Sequence, residues 1–238
     1  MFGDTTAITK AIDLGAGDDT LVLGAGTTAL PTADLKGGDG TDTLSMTAAS
    51  AVAFGASATF AGKLSGFERL AINDQVNQSG GALTINLENL GFANYVTTSG
   101  TATTDNLLTL DKMASGGTVV LTNTVTTKGI AVAVKDAGVS GHNSDVLNVI
   151  ARVDASDVTH GLLTVANVET VNIKAEDISV TATDATTIKT STLTLKADKA
   201  TSSTITGNAH LTLNLDAATD KLVTVNATDL TGNLTLDA

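Results

Sequence analysis

Two short glycine-rich stretches near the amino terminus contain the residues best suited to chemistry. They read Gly-Ala-Gly-Asp-Asp-Thr-Leu over 15–21 and Gly-Asp-Gly-Thr-Asp-Thr-Leu over 38–44. Aligned at Asp19 and Asp42, both follow the pattern G-x-G-x-D-T-L, and the two aspartates are 23 residues apart. Gly37 extends the second stretch to the nonapeptide G-G-x-G-x-D-x-U-x, in which U is a large apolar residue. This repeat predicts two similar turns, each followed by a short strand.

These residue types suit a hard divalent cation. Glycines at alternate positions let the backbone turn tightly with its carbonyls directed inward, and the aspartate adds a carboxylate oxygen. Calcium takes six to eight oxygen ligands, which one turn cannot provide but two stacked turns can. The candidate calcium-binding residues are Gly15, Gly17, Asp18, Asp19, Gly38, Asp39, Gly40 and Asp42. The alternative is a pair of ordinary Gly-Asp turns without a metal.

The composition excludes several other kinds of site. The 238 residues include 25 acidic and 13 basic side chains, a net charge of −12, so a phosphate-binding surface for nucleic acid is not expected. The chain has no cysteine, which excludes disulfides, thiolate metal sites and a cysteine nucleophile. No segment approaches the ~20 apolar residues of a membrane helix, so we expect no membrane insertion. An acidic surface of this kind attracts cations.

No activated catalytic constellation is recognisable. His142, His160 and His210 do not form an H-E-x-x-H zinc signature, and no G-x-S-x-G nucleophile motif occurs. The glycines over 24–26 lack the lysine of a P-loop. Paired carboxylates for glycoside hydrolysis stay open, because their separation is not visible in a sequence. Sugar sites usually need aromatic platforms, however, and the chain has five Phe, one Tyr and no Trp. We therefore expect no enzyme.

Alternating apolar and threonine-rich segments predict an all-β fold. Period-two alternation buries one face of a sheet and leaves threonine and asparagine on the other. Strands are predicted over 84–87, 118–125, 130–134, 170–175, 178–182, 190–196, 211–215, 222–226 and 234–236, and short helices over 87–93 and 108–115. Three Leu-Thr-Leu strands recur at intervals of 18 and 23 residues, about the length of two short strands and two turns. We therefore expect stacked coils that form a parallel β-roll or β-solenoid.

A second repeated motif predicts that the chain consists of two related modules. Residues 66–72 and 167–173 share the pattern apolar-Glu-x-apolar-x-Ile at a separation of 101 residues. We expect a calcium-binding β-roll module over 1–104 and a threonine-rich β-solenoid module over 105–238.

Four further carboxylates lie where predicted strands begin. We interpret Glu68 and Glu169 as solvated or turn-bonded carboxylates. Asp105 and Asp145 each start an Asp-x-Leu segment like that of the repeats, and Asp145 follows a polar turn over 141–144. We retain Asp145 as a further candidate calcium ligand, the alternative being a strand entered from a polar turn.

The nonapeptides resemble the RTX calcium-binding repeats of type I secreted bacterial proteins, over about residues 13–46. The remainder is similar to the carboxyl-terminal region of RTX-bearing surface-layer proteins of Gram-negative bacteria. This resemblance implies that Asp19 and Asp42 are side-chain calcium ligands, with carbonyl ligands among the turn glycines and their neighbours. Leu14 replaces the leading glycine, and the 23-residue interval is longer than one coil of the family's repeats. We therefore expect one or two calcium sites rather than a long ladder.

The same resemblance implies a structural protein of an extracellular coat. Such proteins leave the cell unfolded in low calcium, then fold and assemble outside, so the implied partners are copies of the chain itself. Cell-surface polysaccharide would be contacted through regions outside this chain. Two other classes stay open, namely an adhesin or extracellular matrix module and a non-catalytic region of a secreted RTX toxin or enzyme. The sequence stops within an alternating strand pattern, so we expect a piece of a longer protein.

Overall fold

Parallel strands stack into two long sheets that form the opposite sides of a β-solenoid. The computed structural model describes residues 7–24, 26, 28–76, 81–92, 94–101, 106–123, 129–179 and 187–238. Within these residues one sheet has nine strands: β2 (Thr20–Val22), β4 (Thr43–Met46), β6 (Arg69–Ile72), β8 (Tyr95–Thr98), β10 (Gly117–Leu121), β12 (Val146–Val153), β14 (Thr170–Asp177), β16 (Ser202–Gly207) and β18 (Thr224–Leu230). The other has seven: β7 (Ala82–Asn86), β9 (Leu107–Met113), β11 (Ile130–Val134), β13 (Val158–Ala166), β15 (Thr190–Ala197), β17 (His210–Leu215) and β19 (Leu234–Asp237).

A smaller sheet and a few short helices complete the amino-terminal coils. The sheet pairs β1 (Ile12–Asp13), β3 (Leu35–Lys36) and β5 (Leu64–Ser65). Helix α1 (Ala48–Gly55) precedes a 3-10 helix (Ala61–Lys63), and α2 (Leu87–Leu90) follows β7. Odd-numbered strands therefore lie on one side of the solenoid and even-numbered strands on the other, and one coil is an odd strand with the even strand after it.

Alternation along each strand builds the core between the two sides. In β12 the side chains of Leu147, Val149, Ala151 and Val153 are buried, whereas the residues between them are partly exposed. In the amino-terminal coils the Phe54 ring stacks on a second buried phenylalanine ring with their centroids 4.5 Å apart. The strands therefore form because apolar side chains at every second position reach a common interior.

The pairing confirms the prediction of an all-β parallel solenoid with stacked short strands. Thr20 pairs with Thr43, so the two glycine-rich repeats lie in successive coils. The predicted module boundary between residues 104 and 105 lies outside the described residues. On either side of it β7 pairs with β9 and β8 with β10, so both long sheets pass this region. The division into modules stays a prediction.

The expected helix over 108–115 is wrong, because residues 108–113 belong to β9 and residue 115 lies in the turn that follows it. Leu108, Leu110 and Met113 are all buried, so the spacing between buried residues changes from two to three along the strand. The cause is a β-bulge: Lys112 has φ +63°, and the register of β9 with β11 shifts between Val132 and Val134. The extra residue moves Met113 onto the buried face.

Two other predictions are only partly met. The helix expected over 87–93 is confirmed for α2, which Gly91 ends with a φ of +80°. The strand expected over 178–182 falls largely on residues that are not described, and residues 178–179 form a bend. Among the described residues, no helix is long and apolar enough to cross a membrane.

Candidate metal centre

Three successive turns lie one over another where the three-stranded sheet passes into the nine-stranded one. Residues 14–19 join β1 to β2, residues 37–42 join β3 to β4, and residues 66–68 join β5 to β6. Because strand starts in a parallel sheet share one edge, all turns of this type line the same edge of the solenoid. The two predicted calcium turns are therefore neighbours in space.

Backbone hydrogen bonds hold the first two turns in register. Asp39 N–H donates to the Gly15 carbonyl at 2.9 Å, and Gly17 N–H donates to the Asp39 carbonyl at 2.8 Å. Thr43 N–H then donates to the Asp19 carbonyl at 2.8 Å. The parallel ladder thus continues through the turns, which fixes the distance between their carboxylates.

The second turn needs glycine because of this stacking. A Cβ on Gly38 would lie 1.7 Å from the Gly15 carbonyl oxygen, and one on Gly40 would lie 2.1 Å from the Gly17 carbonyl oxygen. Both residues also have positive φ, +117° and +145°. A Cβ on Gly37 would lie 2.6 Å from Asp42 Oδ2. The nonapeptide glycines therefore allow backbone to lie on backbone and leave room for a carboxylate.

The acidic side chains of these turns bond to the backbone of a neighbouring coil. Asp42 Oδ1 accepts from Asp19 N–H at 2.7 Å, and Glu68 Oε2 accepts from Asp42 N–H at 2.8 Å. Asp18 Oδ1 accepts from Thr41 N–H at 2.8 Å. One oxygen of each of these three carboxylates is therefore committed to the stacking of coils.

Three aspartates each have a side-chain oxygen that makes no such bond. Oδ2 of Asp19, Asp42 and Asp145 is buried without a hydrogen-bond partner, and the Asp42 residue as a whole is 0 % exposed. Within the described part of the chain, no other aspartate or glutamate has a buried oxygen in this condition. An unpaired buried carboxylate oxygen is costly in free energy, and a bound cation would offset that cost.

The other predicted ligands are placed less favourably. Asp18 and Asp39 are exposed. Asp145 lies at the start of β12, four strands along the sheet from β4, which is about 19 Å away at the usual strand spacing. The structure therefore brings Asp19 and Asp42 together but not Asp145. Asp105 lies outside the described residues.

The three turns hold few side chains that could bind a metal directly. Across residues 7–238, apart from those not described, no group of three or more His, Cys, Asp or Glu residues is placed to hold an ion. A cation between the turns would take most of its ligands from carbonyl groups and water, as expected for calcium at carbonyl-rich turns.

Glu68 is the residue of this stack whose place the sequence did not reveal. It occupies in the third turn the position that Asp42 occupies in the second. The signal was present, because the pattern Gly-x-acid-x-Leu is shared by residues 17–21, 40–44 and 66–70. The hydrogen bonds of Glu68 and Glu169 agree with their interpretation as turn-bonded carboxylates.

The three histidines lie apart from these turns. His142 is in an exposed turn, and His210 Nδ1 accepts from Asn233 N–H at 2.9 Å. His160 is buried in β13 with 1 % of its surface exposed. This burial lowers the pKa of His160 to about 4, and the nearby Asn123 backbone opposes the shift in part.

No protein-family model matches the chain, and no curated protein matches its sequence. What the chain does is therefore inferred from its own residues, above all from the stacked turns and their buried carboxylates.

Proposed function

We propose that this chain is a calcium-dependent structural protein of a bacterial surface layer, which folds on calcium outside the cell and self-assembles into a lattice. The observation that supports calcium most directly is the pair of buried, partnerless oxygens, Asp19 Oδ2 and Asp42 Oδ2, in two turns that stack on each other. The role is structural rather than catalytic, and the site of action is the cell surface.

The residues of the stack fit an oxygen-bound cation. Asp19 and Asp42 would bind through Oδ2, because Asp42 Oδ1 is already bonded to the neighbouring backbone. The carbonyls of Gly15 and Asp39 each accept one ladder hydrogen bond and keep a second lone pair. Bound calcium would supply the positively charged partner that these two carboxylates do not otherwise have. Because the turns come together only in the folded chain, calcium binding stabilises the folded state.

The outer faces of the long sheets support association between copies. Along the seven-stranded sheet four threonines are in register on successive strands, at Thr159, Thr192, Thr212 and Thr235. Regular faces of this kind are surfaces on which copies can pack side by side.

Electron microscopy of negatively stained protein tests the proposal. The whole chain is exchanged from chelator into calcium, with magnesium as the control cation. Ordered sheets in calcium, and not in magnesium, are the expected result. Particles that stay monomeric in calcium would contradict the surface-layer role and favour an adhesin or matrix module, which a glycan-binding screen on the same sample would then identify.

A further inference from the structure

Asp145 and Glu169 repeat the contact between Asp42 and Glu68. Asp145 N–H donates to Glu169 Oε2 at 2.9 Å, and Asp42 N–H donates to Glu68 Oε2 at 2.8 Å. The carbonyl of each aspartate also accepts the N–H of the residue after the glutamate, at 3.1 Å and 3.0 Å respectively. Both turns lie on the same edge of the solenoid, because each joins an odd-numbered strand to the next even-numbered one. Two distant places on this edge therefore have one architecture.

The turn that holds Glu169 reproduces the one that holds Glu68. Asn167 has φ +59° where the earlier turn has Gly66 with φ +64°. Asparagine is one of the few residues besides glycine that tolerates this left-handed conformation. Val168, between Asn167 and Glu169, is buried. The conformation of this turn therefore fixes the position of the Glu169 carboxylate against Asp145.

The Asp145 carboxylate lacks a compensating partner. Its residue is 5 % exposed, and Oδ2 is buried with no hydrogen bond. The ion pairs of the described residues join Lys63 to Asp34, Lys135 to Glu88, and Arg152 and Lys174 to Glu176, so none includes Asp145 or Glu169. The Glu169 carboxylate, which accepts Asp145 N–H, adds a second negative charge beside this residue. A bound cation would remove both costs.

Other carboxylates also accept a backbone N–H of a neighbouring coil, but they have no buried oxygen left without a hydrogen bond. Asp74, Asp157 and Asp198 accept backbone N–H groups at 2.7 Å, 2.8 Å and 3.0 Å. None of the three has a buried oxygen without a partner. Among the carboxylates that the structure describes, only Asp19, Asp42 and Asp145 have a buried oxygen without a partner.

We propose that Asp145 and Glu169 form a second calcium site, in a part of the chain that lacks the nonapeptide. Asp145 Oδ2 is its side-chain ligand, and Glu169 positions Asp145 and adds a second negative charge. Oxygen donors alone favour a hard cation, and carbonyls and water complete the coordination that calcium requires. This proposal extends the calcium dependence proposed above and rests on it.

Equilibrium dialysis with radioactive calcium counts the ions bound per chain. Asp145→Asn, which keeps the size of the side chain, should bind one ion fewer than the wild type. Asp42→Asn should lose a different ion, and the double variant should lose both. Asp157→Asn is the matched control, because Asp157 caps Thr190 N–H without a buried unpaired oxygen, and it should bind as the wild type does.

The outcomes separate this proposal from the proposed function. If Asp42→Asn loses an ion and Asp145→Asn does not, the second site is refuted and calcium binding at the glycine-rich turns stands. If the wild type binds no calcium, both are refuted.

Glu169→Gln keeps the test decisive should Asp145→Asn fail to fold. Glutamine retains an oxygen that can accept Asp145 N–H but removes the negative charge. We expect calcium affinity at this site to fall at least about tenfold, because one of two adjacent charges is lost. Melting in chelator should not decrease. Unchanged calcium affinity in a folded Glu169→Gln protein would overturn the proposal.

Discussion

Gly38 and Gly15 occupy equivalent positions in successive turns but meet different surroundings. Both have positive φ, +117° and +97°, so alanine is strained at either position. A Cβ on Gly38 would overlap the Gly15 carbonyl at 1.7 Å, whereas a Cβ on Gly15 meets no described atom within 4 Å. The sequence pattern is the same at both positions, but only the second glycine is required by stacking.

Gly38→Ala should therefore destabilise the protein more than Gly15→Ala. We expect about 1–2 kcal/mol for Gly15→Ala, from the left-handed backbone alone. Overlap between coils should add roughly 1–3 kcal/mol for Gly38→Ala. Urea unfolding of the two variants in chelator measures the difference. Equal losses would mean that the turns are not stacked as closely as described.

His160 makes the stability of the folded chain sensitive to acid. Burial lowers its pKa to about 4 in the folded state, below the ordinary value of about 6.5. The folded state therefore binds fewer protons, and stability should fall as the pH drops from about 6.5 towards 4. Between pH 7 and pH 5 this contribution amounts to about 2 kcal/mol.

The variant His160→Gln should remove this part of the pH dependence. Free energies of unfolding in urea at pH 7 and pH 5 give the comparison, with the same substitution at exposed His142 as the control. The wild type and the His142 variant should lose about 2 kcal/mol more than His160→Gln. A loss of the same size in all three would show that His160 does not titrate in this range.

At the scale of elements, helix α1 depends on the coil that follows it. Thr47 caps the helix by accepting Ser50 N–H at 3.2 Å, and Asp74 accepts Ala48 N–H at 2.7 Å. A carboxylate at a helix amino terminus also interacts favourably with the exposed N–H groups. The helix is therefore fixed by a residue 26 positions away in sequence.

Asp74→Ala should lower the free energy of unfolding by about 1 kcal/mol, the usual cost of losing a helix cap. Asp34→Ala is the control, because Asp34 forms only an exposed ion pair with Lys63 at 3.3 Å. Exposed pairs contribute about 0–1 kcal/mol. Thermal or urea unfolding of both variants measures these changes. Equal decreases in the free energy of unfolding would contradict the capping role of Asp74.

The sequence predicted strands best where alternation is unbroken. Over 211–215 every second residue is apolar, as are Leu193 and Leu195 within 190–196, and β15 and β17 form there. It failed at β9, where the bulge at Lys112 shifts the alternation by one residue. It also missed α1, whose alanine-rich stretch has no polar face to mark a helical period.

The sequence predicted the residues of the candidate site but not which turns stack on each other. The glycine-rich motif identified Asp19 and Asp42, and the similar Asp-x-Leu segment identified Asp145. Pairing between coils was not visible, because coil length varies: Thr20 pairs 23 residues on with Thr43, which pairs 26 residues on with Arg69. Helices and loops inserted on the far side of each coil change this interval without disturbing the stacked edge, so the equivalence of Glu68 could not be read from a fixed period.

At the scale of the whole molecule, the two long sheets couple the stability of each coil to that of its neighbours. In a solenoid each coil contacts mainly the coils before and after it, so stability is roughly a sum over these interfaces. Cations that join coils would strengthen particular interfaces. We therefore expect calcium to act on the unfolding of the chain rather than on a local loop alone.

The most direct test of this account is thermal unfolding, followed by circular dichroism, of the wild type and Asp42→Asn in calcium, in magnesium and in chelator. At calcium concentrations about a hundredfold above Kd, one bound ion contributes about 2.7 kcal/mol, which corresponds to a rise in Tm of about 5–10 °C. We predict this rise for the wild type in calcium, a smaller one in magnesium, and a reduced response to calcium in Asp42→Asn. A wild-type Tm that is the same in calcium and in chelator would contradict the claim that the stacked turns hold a calcium ion.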